Sequence, residues 1–355
     1  MSVDSDIKQH ILRLGFISID DLMQKALTAS ENSYYRHKKF IGAQGDFITS
    51  PEISQLFGEI IGLWCIESWY KLSCPKDINL VELGPGRGIL MRDILRIAKL
   101  VPDFYNSLCI WLVEINSELI KQQKENLLVF NINIKWVDEI DKVSNIPTIF
   151  VANEFFDAIP IKQFIKADNT WYERVLTINS YNELQYSIIN ISLQQQSRLL
   201  KKYFQAPGGA IVEESIISEE ILTLMAHHIE QHKGCFLIID YGYHIEPAKR
   251  TKLQFISTLQ AIKDHKYHPI FKNLGDADLS AHVDFCSLEK ILLGNIINCK
   301  YTSQQKFLIE NGILVRLERL KKLVPIEMFQ LVKKQVDRLI SPTQMGELFK
   351  VLHSS

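Results

Sequence analysis

A chain of 355 residues with 46% hydrophobic and 23% charged side chains has the composition of a soluble globular protein, long enough for one large domain with appendages or for two domains. Its 40 basic and 41 acidic side chains leave a formal net charge of −1, which argues against the electrostatic footprint of a nucleic-acid or anionic-membrane binder. Six cysteines are scattered without a CxxC pair, so neither a zinc cage nor a redox pair is implied, and reduced thiols in a cytoplasmic protein are expected.

The opening stretch, MSVDSDIKQHILRLGFISID, carries Asp4 and Asp6 where a signal or transit peptide would be basic. No transit peptide is visible, and a mitochondrial matrix address is expected only in a eukaryotic host. No stretch is apolar enough to insert in a membrane. Residues 1–72 read as mostly helical, with one apolar stripe at Ile7, Ile11, Leu12 and Leu14 and another at Ile19, Leu22, Met23 and Ala26. A loop over roughly 34–50 ends in GDFITSP, where Ser50 is the candidate N-cap of a helix opened by Pro51. The RHKK run (36–39) reads as a solvated charge cluster or a partner contact.

From Ile78 strands and helices alternate. INLVEL (78–83), LCIWLVE (108–114), INIKWV (132–137) and TIFVANE (148–154) are expected as strands, and their apolar character on both faces argues a parallel sheet covered by helices. After Pro160, KQFIKA, WYERVLTI and ELQYSIINI look like antiparallel strands. GCFLIIDYGY (234–243) returns as a fifth core strand, 244–282 is loop-rich, 304–340 is helical, and GELFKVLHSS supplies a last strand. The expected organisation is an N-terminal helical cap over 1–75, a Rossmann-like cofactor-binding core over 76–243 with an antiparallel excursion at 160–230, and a third part over 244–355 holding the loop-rich insertion, helices and last strand.

VELGPGRG (81–88) is the sharpest motif. An apolar strand runs into a turn with Gly84, Gly86 and Gly88 and then into a helix start, where free N–H groups and the positive dipole end face the ligand. A dinucleotide site wants GxGxxG, but here the third glycine comes one place early and Ile89 stands in its position. Glu82 before the turn suits a cationic ligand and repels a pyrophosphate, which favours S-adenosylmethionine over a nicotinamide dinucleotide. Glu114, ending the second strand, is placed to accept the two ribose hydroxyls. Asp138, after the third strand, reads equally as a partner of the adenine amino group or as a plain cap. Thr49 and Ser50 are candidate cofactor contacts if GDFITSP closes over the donor, against a simple capping role. In VANEFFDAIP (151–160), Asn153, Glu154 and Asp157 are polar groups just past a carboxyl strand end; they either cap the loop or seat a nitrogen nucleophile. Paired carboxylates fit a guanidinium, whose charge they can localise.

GDFITSPEISQLFGE, VELGPGRGILMRDILR, NEFFDAIP, IIDYGY, STLQA, AHVDF and GELFKVL follow one another in this order. Together they resemble the MidA family of class I S-adenosylmethionine-dependent methyltransferases, over roughly residues 30–355. One departure is the late segment TSQQKFL (302–308), which lacks the glycine the family carries there. The resemblance implies a Rossmann-like α/β fold with additional N-terminal and inserted parts, donor contacts at Gly84, Gly86, Gly88 and Glu114, and a reactive role for Asn153, Glu154 and Asp157. It further implies methylation of an arginine on a partner protein, since the family includes a mitochondrial assembly factor acting on a respiratory complex I subunit. The competing expectation is an assembly factor or scaffold that binds adenosylmethionine without turnover.

Overall fold

The computed structural model describes residues 2–30, 32–36, 48–295 and 297–354. Gly45, Asp46 and Phe47 of the GDFITSP segment, and residues 37–39 of the basic run, lie outside the described residues. The chain divides into two compact units: Met1–Phe40, Asp157–Glu219 and His244–Cys286 form the smaller, and Ile41–Phe156, Glu220–Tyr243 and Ser287–Ser355 the larger.

The larger unit is an α/β layer structure. Helix α1 (Gln55–Lys71) precedes strand β1 (Ile78–Leu83), which leads into α2 (Ile89–Ala98). Then come β2 (Leu108–Val113), α3 (Ser117–Leu127), β3 (Ile134–Val137), β4 (Thr148–Asn153), β5 (Gly234–Tyr243), β6 (Lys300–Ser303) and β7 (Phe349–His353). These seven strands run in the order β3-β2-β1-β4-β5-β7-β6. Strands β1 to β5 are parallel, and β7 enters antiparallel to both β5 and β6. Every residue of β1 and of β4 is buried, as strands covered on both faces must be. Helix α1 is apolar over most of its circumference and keeps only a narrow exposed strip that includes Glu67 and Lys71: Phe57, Ile60, Ile61, Trp64 and Cys65 all join the core with Leu80, Ile94 and Val151. Gly58 lets it come close to α2, where an added Cβ would stand 2.6 Å from the Asp93 Cβ.

The smaller unit is antiparallel. Lys162–Ala167, Thr170–Ile178, Leu184–Asn190 and Ile211–Glu214 form one sheet with the short strand Ile17–Ser18, which pairs with Thr170–Ile178. In the first helix, Val3–Leu14, the buried stripe is Val3, Ile7 and Ile11, while Leu12 and Leu14 are 78% and 54% exposed. The expected stripe drifts there because positions 12 and 14 lie off the i, i+4 row that Val3, Ile7 and Ile11 define. The loop-rich segment also holds a three-stranded sheet of Gln260–Lys263, Lys266–His268 and Asp278–Ser280. Residues 304–340, expected to be helical, form three helices, Gln304–Glu310, Ile313–Leu320 and Ile326–Ile340. No helix among the described residues is long and apolar enough to cross a membrane.

Candidate functional site

The parallel register brings the polar residues of the larger unit to one edge. Leu83 pairs with Val113 on one side and Ala152 on the other, so Gly84, Glu114 and Asn153 all stand one step beyond the same level. Asn153 pairs with Ile239, which sets Glu154 level with Asp240. Strands β1 and β4 are where the strand order reverses, and an open sheet has its natural crevice outside those carboxyl ends.

Gly84, Gly86 and Gly88 all take left-handed conformations, with φ of 62°, 51° and 75°. They serve different ends. A Cβ on Gly84 would lie 2.8 Å from the Phe155 ring, so that glycine permits packing against the loop after β4. At Gly86 an added Cβ meets nothing within 4 Å among the described residues, so a ligand can reach the backbone there. Gly88 is the N-cap residue of α2 and contributes no side-chain cap, leaving the first N–H groups of that helix for another acceptor.

Two acids flank the turn. Glu82 is 3% exposed, and burial, reinforced by the nearby Glu114 charge, pushes its carboxyl up to about 8 although the Met91 backbone N–H opposes the shift. Its Oε2 has no hydrogen-bond partner among the described residues. Glu114 is pushed up to about 7 by burial. Its Oε1 accepts the Asn116 backbone N–H at 2.8 Å and its Oε2 the Gln123 amide at 3.2 Å. Asn116 in turn caps α3, its side chain accepting from the backbone of Glu118 and Leu119. Asp138 does not share this network: it is exposed and ion-paired with Lys142, which holds its carboxyl below the usual range.

The segment before α1 reaches the same edge. Its short helix is Ser50–Ile53 with Thr49 at the N-cap position, one residue earlier than the sequence suggested, and neither hydroxyl caps it. The Ser50 backbone N–H instead donates to Glu154 Oε1 at 2.8 Å, which explains the shift. Glu52 and Arg87, the latter inside the glycine turn, form an ion pair at 3.3 Å. Burial raises the Glu52 carboxyl despite that cation.

Glu154 carries the unusual backbone of the site, a φ of 50° in a non-glycine residue. Such strain is held in place by neighbours and concentrates at functional positions. Here the Glu154 N–H donates to the Ile239 carbonyl at 2.9 Å, and its carboxylate also accepts the Asn153 amide at 3.2 Å. Asp240, wholly buried on β5, accepts the Phe156 and Tyr241 backbone N–H groups at 3.0 and 2.8 Å and so pins the loop after β4. Asp157 begins the second segment of the smaller unit, where its carbonyl accepts the Ala281 N–H at 2.9 Å. Sequence reasoning missed Asp240, Gln123 and Glu52. IIDYGY was visible as a strand, but nothing in spacing marked its acid as a loop anchor.

Buried polar atoms without a partner among the described residues collect along this edge: Ser50 Oγ, Glu52 Oε2, Glu82 Oε2 and Asn153 Oδ1. A native fold leaves few such atoms, because each costs about 1–3 kcal/mol of lost solvation. Beside the open face of Gly86 and the uncapped start of α2, they fit a polar ligand carrying positive charge and hydroxyl groups.

Residues 60–300 match a family model described as S-adenosyl-L-methionine-dependent methyltransferase. The chain is 32% identical to the Drosophila melanogaster protein named protein arginine methyltransferase NDUFAF7 homolog, mitochondrial, over 99% of this chain and 84% of that one. It is 33% identical to the Danio rerio protein named protein arginine methyltransferase NDUFAF7, mitochondrial, over 98% and 86%. A Burkholderia thailandensis protein solved bound to S-adenosyl-homocysteine shares the fold, with a TM-score of 0.86 at 23% identity over 99% of this chain and 92% of the other.

Proposed function

This chain belongs to the family of S-adenosyl-L-methionine-dependent methyltransferases, and from that premise we propose that it methylates an arginine of a partner protein, as its relatives' names describe for them. The donor, when bound, supplies an electrophilic methyl carbon on a sulfonium centre. The rest of the work falls to this chain's own side chains. In this reading Gly84, Gly86 and Gly88 admit the donor to the backbone, with Glu82 beneath its cationic end and Glu114 on the ribose hydroxyls. Thr49 and Ser50 belong to the segment that closes over it, and Asp138 is an outer contact at most, given its pairing with Lys142.

The acceptor nitrogen is assigned to Asn153 and Glu154, with Asp157 three residues on. The observation that carries this assignment is Glu154: a strained, part-buried carboxylate at the carboxyl end of β4, fixed by Ser50 and Asn153. A guanidinium stays protonated and is a weak nucleophile, so it needs a carboxylate to localise its charge and orient one nitrogen. Methyl transfer is a displacement at carbon, and positioning contributes more than a strong base would. A respiratory complex I subunit is the partner that the relatives' NDUFAF7 designation and the family resemblance point to.

Labelled donor incubated with a lysate of cells lacking this protein, followed by mass-spectrometric mapping, tests the reading. A methyl group on an arginine, dependent on added protein, is expected. Label on another residue type overturns the acceptor assignment; donor-product binding without any transfer favours a scaffold instead.

A further inference from the structure

Gln123 sits on α3, is fully buried, and spends its whole amide on three different elements. Its Nε2 donates to the Gly86 carbonyl at 2.7 Å and to Glu114 Oε2 at 3.2 Å. Its Oε1 accepts the Trp136 indole N–H at 2.8 Å. The chemistry of these partners fixes the amide's orientation. An indole N–H can only donate and a carbonyl can only accept, so a flipped amide would face two mismatches.

We infer that Gln123 is a positioning residue for the methyl donor, tying the Glu114 carboxylate to the middle of the glycine turn so that both donor-facing features hold one spacing. This rests on the reading of Glu114 as the acid that takes the ribose hydroxyls. Each Glu114 oxygen already has one fixed donor, the Asn116 N–H on Oε1 and the Gln123 amide on Oε2. A carboxylate oxygen accepts more than one hydrogen bond, so both keep room for a diol, with the plane of the group already set. Holding the plane in advance removes ordering cost from the binding step. The amide also has an electrostatic effect. Donation to a carboxylate favours its charged form, and Gln123 opposes the burial that raises Glu114. Glu82, on the adjoining strand, also faces Glu114, and its negative charge works against Glu114 ionisation. A purely structural glutamine would support α3 without setting the charge state of Glu114.

The test is calorimetric binding of S-adenosyl-homocysteine between pH 5.5 and 8.5 to the full chain, comparing wild type with Glu114→Gln, Gln123→Met and Trp136→Phe. Methionine keeps the length of glutamine and removes its polarity. We expect wild-type affinity to fall with acidification through about pH 7, and Glu114→Gln to bind more weakly with that dependence flattened. Gln123→Met should bind about tenfold more weakly at pH 7, with its midpoint displaced to higher pH and part of the loss recovered at pH 8.5. Trp136→Phe removes the donor that orients the amide; it should shift the midpoint the same way by less, and it carries the test should Gln123→Met fail to fold. An unmoved midpoint in a folded Gln123 or Trp136 variant, with Glu114→Gln weakened as expected, overturns the role of Gln123 alone. Wild-type binding by Glu114→Gln overturns the underlying reading of that acid.

Discussion

Gly84 and Gly86 are two residues apart with similar backbone angles, yet the structure predicts opposite consequences of substitution. Among the described residues a Cβ at Gly86 meets nothing within 4 Å, so Gly86→Val costs chiefly the left-handed backbone. That penalty is about 1–2 kcal/mol for a residue with a Cβ. For a unit of 150–250 residues it corresponds to a fall of roughly 2–8 °C in Tm, since each kcal/mol moves the midpoint by about 2–4 °C. The protein should therefore fold, while the valine methyl groups fill the space the donor needs. Affinity for S-adenosyl-homocysteine should fall by a factor of about a hundred or more, the equivalent of roughly 3 kcal/mol. Gly84→Ala is the contrasting control. Its Cβ would press to 2.8 Å on the Phe155 ring in addition to the backbone strain, so the melting temperature should fall further. Calorimetry and thermal melts on the two variants separate these effects. A folded Gly86→Val that binds within threefold of wild type would refute the assignment of that open face to the donor.

Glu154→Gln keeps shape and removes charge; protein methylation should slow about a hundredfold, a few kcal/mol in the barrier, with donor-product affinity little changed in calorimetry. Weakened donor binding with intact single-turnover transfer would move Glu154 to the donor side. Asp240→Asn turns an amide N–H toward a backbone donor it formerly accepted from, so stability should fall by about 1–3 kcal/mol in denaturant titration; an unchanged midpoint would remove Asp240 as the loop anchor. Glu82 and Glu114 have raised carboxyl pKa values in the folded chain, about 8 and about 7, so their contribution to stability is present at low pH and is lost as pH rises through those values. The ligand-free protein should melt progressively lower between about pH 5 and 8, and binding the cationic donor at pH 7 should release protons, read as a buffer-dependent calorimetric heat. Proton uptake would contradict the placement of these acids against the donor. Glu52→Gln should loosen the Ser50–Ile53 segment and weaken donor binding severalfold without unfolding; unchanged affinity would leave the Arg87 pair with a structural role only.

The layered core was readable because buried parallel strands are uninterrupted apolar runs: INLVEL, TIFVAN and GCFLIIDYGY are found as β1, β4 and β5. The short strand Lys300–Ser303 was not, since KYTS is half-exposed and owes its pairing to β7, far along the chain. The same asymmetry governs the site. VELGPGRG is local and declares itself through three glycines with positive φ. Gln123 and Asp240 act on partners 37 and 84 residues away, and no window of sequence contains both ends of such a bond. Ser50 was read as a cap because a hydroxyl before proline usually is one; its backbone N–H is drawn off by Glu154, a tertiary contact that outweighs the local preference. Asp138 looked like Glu114 in position, but its side chain follows the nearest cation into solvent.

Donor and acceptor are proposed to meet at one edge of the sheet, with Gly86 and Glu114 on the donor and Glu154 on the acceptor. A crystal structure of the chain with S-adenosyl-homocysteine tests this most directly. The expected result is the ribose hydroxyls on the Glu114 carboxylate, the ligand lying against Gly86, and Glu154 making no hydrogen bond to it. A ligand seated away from the glycine turn, or a ribose held by another acid with Glu114 still turned to Gln123 and Asn116 alone, would contradict it.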